Sequence, residues 1–116
     1  MERICSFWIN GNKYVIYNVK EIEGKRSYSG ETRYDEGKVF IEEGPEMLLT
    51  LKHELMHVWL YENGHKNQDG KEVFSYEELC ELSARSNDFI NKIVEKYIIN
   101  GGVWDCYRTR SEIFNI

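Results

Sequence analysis

The pentapeptide His53-Glu54-Leu55-Met56-His57 sets two histidines four residues apart, with a carboxylate beside the first. On a helix, positions i and i+4 differ by about 40° around the axis, so both imidazoles leave one face. That is the reach needed for two Zn–N bonds, and Glu54 is placed to take a proton from a metal-activated water. The chain has only 3 His among 116 residues. Chance placement would give H-E-x-x-H roughly once in 100 such chains, before any helix is required. The sequence therefore assigns His53 and His57 as zinc ligands and Glu54 as general base.

A catalytic zinc needs a third protein ligand and an open position. The extended metzincin motif would put a glycine at Leu60 and a histidine at Asn63, and neither matches. His65, eight residues after His57, reads as an exposed loop residue. The remaining candidates are Glu77, Glu78 and Glu81. Glu78 lies three residues after Ser75, the spacing of a capping box. Glu77 shares a helical face with Cys80 and Ala84, small residues that would let this helix approach the His53–His57 helix. Glu77 is the expected third ligand, with Glu81 and Glu78 as alternatives. Tyrosines are plentiful, and no position stands out as an oxyanion donor.

The elements around these residues can be read from pattern. Residues 4–9 and 14–19 are strand-like and flank Asn10-Gly11, a hairpin signal. Residues 27–34 and 38–42 flank Asp35-Glu36-Gly37, a second turn. Gly44-Pro45 breaks the pattern, and a helix runs from there to a stop at Asn63-Gly64. Its buried stripe is Leu48, Leu51, Leu55, Val58 and Trp59, which leaves both histidines off the core. Residues 65–71 read as a loop. A second helix starts at Ser75, with Phe74 and Leu79 as a hydrophobic staple. Its stripe is Leu79, Leu82, Ser86, Phe89, Ile90, Ile93 and Tyr97, ending before Gly101-Gly102. The tail, with Trp104, Tyr107 and Phe114, has no assigned role.

The length suits one domain over residues 1–116, and 41% hydrophobic residues can build a modest core. A net charge of −5 argues against a nucleic-acid partner. Cys5, Cys80 and Cys106 are odd in number and widely spaced, so neither a disulfide framework nor a zinc ribbon is suggested. A reducing cytoplasm is the simplest compartment. No apolar run is long enough to cross a membrane, and the start lacks a signal-peptide pattern.

Thr50-Leu51-Lys52-His53-Glu54-Leu55-Met56-His57, preceded by a strand pair and a Gly-Pro break and followed by a Glu-led helix, resembles the minimal zincins of the ImmA/IrrE type. Many small proteins of phages and mobile elements in bacteria share that layout. The likeness covers about residues 28–98. It implies an α+β minimal zincin fold, with a small antiparallel sheet packed on the H-E-x-x-H helix and a second, Glu-bearing helix. It also implies a third ligand from the glutamate opening that helix, with a small residue three positions later, and Glu77 with Cys80 fits best. The family's small-Asn-x-Phe-Ala continuation is not kept: Glu81, Leu82, Ser83 and Ala84 follow Cys80. Residues 53–60 also resemble SprT-type proteases, but the histidine of those proteins' downstream Gly-rich loop has no counterpart in residues 67–71.

The expectation is a zinc-dependent peptidase acting on a protein or peptide, without a separate DNA-binding domain. The strand at residues 38–42 would lie beside the metal helix and offer a free edge to an extended substrate. The alternatives are a non-catalytic zinc-containing binding module and a DNA-associated SprT-like protease.

Overall fold

The computed structural model describes residues 1–22, 29–65 and 73–103. Within them lie β1 (Glu2–Ile9), β2 (Asn12–Val19), β3 (Gly30–Arg33), β4 (Lys38–Glu42), α1 (Met47–Glu62) and α2 (Tyr76–Ile99). The start of the expected strand at residue 27, most of the 65–71 loop and the tail from Trp104, with Cys106, lie outside the described residues.

The β1–β2 hairpin closes as its turn residues dictate. Asn10 and Gly11 have φ of 48° and 83°, and Ile9 pairs with Asn12 across them. A two-residue turn with both φ positive matches the right-handed twist of its strands, and Asn-Gly is the dipeptide that tolerates it. β1 alternates only loosely because it is bulged: the register slips between Arg3 and Cys5. One extra residue turns Ile4 and Cys5 both into the core, after which Phe7 and Ile9 point inward and Trp8 outward.

Sheet order is β1-β2-β4-β3, with β1–β2 and β3–β4 antiparallel but β2–β4 parallel. The sheet is thus mixed, which corrects the expected antiparallel sheet. It also places β4 in the interior, so the edge expected at residues 38–42 is already paired; among the described residues the edge on that side belongs to β3. Composition explains the placement. Val39, Phe40 and Ile41 are all buried, the continuous apolar run of a strand covered on both faces. Gly30-Glu31-Thr32-Arg33 is polar, as an edge strand should be.

Both helices contribute to one core against one face of the sheet. Leu51, Leu55 and Val58 of α1 are fully buried with Ile16, Val39 and Ile41, and Tyr97 of α2 joins them. Each such side chain contributes roughly 1.5–3 kcal/mol by burial. Exposed ion pairs such as Arg85–Glu81 contribute roughly 0–1 kcal/mol, so apolar burial is what fixes the helices. Met47 and Glu54 join the buried stripe of α1, while Leu48 and Trp59 are only partly buried.

The helix ends follow the sequence signals. Gly64 and Gly101 adopt φ of 98° and 92°. Gly64 N–H donates to the Tyr61 carbonyl and His65 N–H to that of Leu60; Gly101 and Gly102 do the same to Ile98 and Tyr97. Both are Schellman closures. At the start of α2, Ser75 Oγ accepts from Glu78 N–H and Glu78 Oε1 accepts from Ser75 N–H, completing the capping box. Leu79, expected in the core, is 45% exposed. The first turns of α2 extend past the core, which takes up this helix only from Ser86 onward.

Among the described residues, no helix is long and apolar enough to cross a membrane.

Candidate metal centre

α1 carries the motif, and the sheet holds α1 at its C-terminal end. Asn10 Nδ2 donates to the Glu62 carbonyl, Asn12 Nδ2 to Glu62 Oε1, and Tyr14 OH to Glu62 Oε2 at 2.6 Å. This clamp joins the first hairpin to the last turn of α1, one turn beyond His57. Burial and the Glu62 carboxylate push the Tyr14 hydroxyl well above the usual tyrosine range.

His53 and His57 are exposed and face each other. Their Nε2 atoms are 3.1 Å apart, and their rings lie at 73° with centroids 4.7 Å apart. Two nitrogens on a tetrahedral zinc, each at about 2.0–2.1 Å from it, stand roughly 3.3 Å apart. The separation is close to that of two imidazoles sharing a zinc; the same two nitrogens also stand at hydrogen-bond distance from each other.

Glu54 points elsewhere. It is only 7% exposed and faces β3, where Thr32 Oγ1 donates to its Oε1 at 2.6 Å. Gly30 and Thr32 pair with Ile41 and Val39, so both lie on the helix-facing side of the strand. A Cβ at Gly30 would fall 2.7 Å from Thr50 Cγ2, 2.9 Å from Glu54 Cγ and 3.1 Å from Glu54 Oε2. The glycine is what lets β3 come this close. Tyr34, just past β3, stacks on Tyr61 of α1 with centroids 4.2 Å apart. Burial, and then the nearby charge of Glu54, raise the Tyr34 hydroxyl above its ordinary value.

The three acids of α2 separate by what they already do. Glu78 is committed to the capping box, whose backbone hydrogen bond holds its carboxyl below the usual range. Glu81 accepts from Arg85 Nε at 2.7 Å. Glu77 has neither engagement and is exposed, but Cys80 and Ala84 on its face are exposed too. The small-residue face expected to pack on α1 does not. Among the described residues, no group of three or more His, Cys, Asp and Glu is placed to hold a metal ion. The structure thus brings His53 and His57 together on the exposed side of α1, turns Glu54 to β3, and does not gather Glu77 to the pair. His65, whose backbone closes α1, sets its ring edge-on to Phe74 at 5.4 Å.

Gly30, Thr32, Tyr34 and Tyr61 are not found by sequence reasoning. The burial of Glu54 did have a signal. It falls three residues after Leu51 and four before Val58, on the core stripe itself. Nothing in the sequence joins that stripe to a threonine 22 residues earlier.

Comparison with protein-family models, curated proteins and solved structures finds no match for this chain.

Proposed function

We propose that the chain is a zinc-dependent peptidase acting on a protein or peptide, of the minimal zincin kind its sequence resembles. The observation that carries this reading is the 3.1 Å approach of the His53 and His57 Nε2 atoms on the helix that also bears Glu54. The two imidazoles hold the metal, and Glu77, the one opening acid of α2 with no competing partner among the described residues, is proposed as the third ligand. Zinc at such a site supplies Lewis acidity that brings the pKa of water to roughly 7. Glu54 takes the proton from the attacking water and passes it to the leaving amine.

A second reading has its own support. Glu54 ties α1 to β3 through Thr32, a structural job that a non-catalytic zinc-containing binding module would also need. Glu54→Gln separates the two. The amide keeps an acceptor for Thr32 but cannot take a proton. Wild-type protein purified without chelator is incubated with a proteome-derived peptide library, and new termini are read by mass spectrometry. A peptidase cleaves, loses cleavage in Glu54→Gln, and keeps its zinc. Cleavage that survives in Glu54→Gln, or zinc that is lost with it, would overturn the assignment of Glu54.

A further inference from the structure

The seat of Glu54 is built from β3, and it is more specific than a carboxylate buried against a strand requires. Thr32 presents its hydroxyl to one oxygen only, at 2.6 Å from Oε1. Gly30, on the same face, lets β3 pack so closely that a Cβ there would fall 2.9 Å from Glu54 Cγ and 3.1 Å from Oε2. We propose that Thr32 and Gly30 position Glu54, Thr32 by fixing Oε1 and Gly30 by letting β3 close on the side chain.

This rests on the peptidase reading, and it assigns two residues of the edge strand to the orientation of the base. The physical reason is rotational. A carboxylate on a Glu side chain has a soft terminal torsion. A charge-assisted hydrogen bond at this distance is among the strong ones and pins that torsion. Thr32 is β-branched and stiff at χ1, so its hydroxyl is itself held in place. Gly30 acts by absence: a methyl there would press on Glu54 Cγ and Thr50 Cγ2 and push β3 off the helix. Thr32 touches neither metal nor substrate in this scheme. It is a positioning residue.

The test combines three measurements on the full chain. First, thermal unfolding of the zinc-free protein is compared for Thr32→Val in the wild-type and Glu54→Leu backgrounds. The hydrogen bond predicts a loss of roughly 4–8 °C in Tm in the first and none in the second. Equal losses in both would overturn the seat. Second, zinc stoichiometry should be unchanged in Thr32→Val; loss of zinc would make Thr32 part of the metal site, contrary to the proposal. Third, on a peptide found cleaved in the library, Thr32→Val should lower kcat at least tenfold with KM unchanged, and Thr32→Ser should restore it. A rise in KM alone, or no rescue by serine, would refute the positioning role. If the wild-type chain cleaves nothing, the peptidase reading fails and the catalytic purpose of the seat falls with it. The thermal coupling then decides separately whether Thr32 holds Glu54.

Discussion

A buried carboxylate is costly unless its oxygens find partners, and Glu54 is buried where Thr32 supplies one. The histidines have no such constraint and stay at the surface, their Nε2 atoms turned together. Adjacent residues of one helix thus face different surroundings because each step along it turns about 100°. Tyr14 gives the clearest pH prediction at this scale. Its hydroxyl is raised by burial and by Glu62. A group raised in the folded state adds stability that is fully present below its unfolded pKa, near 10, and is lost as pH rises from there toward the folded value. Wild-type stability should therefore fall above about pH 10. Tyr14→Phe should lose about 1 kcal/mol at neutral pH and show a shallower alkaline decline. Chemical denaturation at a series of pH values would read both; an unchanged alkaline slope in the variant would refute the Tyr14–Glu62 assignment.

At the scale of elements, the start of α2 divides its acids between capping and other work. Ser75→Ala should cost about 1 kcal/mol of stability and leave zinc affinity alone. Glu77→Gln should do the reverse, weakening zinc by more than the roughly 10–100-fold that loss of an outer partner costs, with little change in Tm of the zinc-free chain. Zinc titration and thermal unfolding of the two variants form the comparison; wild-type affinity in Glu77→Gln would remove it from the site. These boundaries were legible in the sequence because caps and stops are local chemistry: Ser75 with Glu78, Asn63-Gly64, Gly101-Gly102 and Asn10-Gly11 each act within a few residues. Strand order was not legible. A two-residue period tells which side chains share a face and says nothing about which strand lies alongside. The apolar run Val39-Phe40-Ile41 did mark an interior strand, and the polar β3 an edge. The expected antiparallel sheet rests on the family resemblance, and the two turns by themselves leave the pairing between β2 and β4 open. Leu79 misled for a similar reason: helical spacing identifies a stripe but not how far along it the partner surface reaches.

Across the whole molecule, the motif helix is fixed at both ends of its buried stripe. Met47 packs in the core near its start, and the Asn10–Asn12–Tyr14 clamp grips Glu62 at its end. A polar network at the far side, Tyr97 OH to Asn18 Oδ1 at 2.5 Å and Asn18 Nδ2 to the Gly102 carbonyl at 2.9 Å, ties α2 to β2. Gly102 is needed there, since a Cβ would lie 2.3 Å from the Tyr97 ring. The proposed histidine pair on α1 thus lies on a fixed helix, whereas Glu77, the proposed third ligand, sits on the exposed opening turns of α2. Zinc that joins the two should stabilise the fold by mass action, about 2.7 kcal/mol at a hundredfold excess over Kd. The most direct measurement is zinc titration of chelator-stripped protein, with metal content by elemental analysis and Tm recorded at each point. One zinc per chain is expected, with a rise in Tm that disappears in His53→Ala and in His57→Ala and persists in Glu54→Gln. A wild-type chain that takes up less than one zinc even when zinc is supplied, or whose uptake survives both histidine variants, would contradict the metal centre on which the proposed function depends.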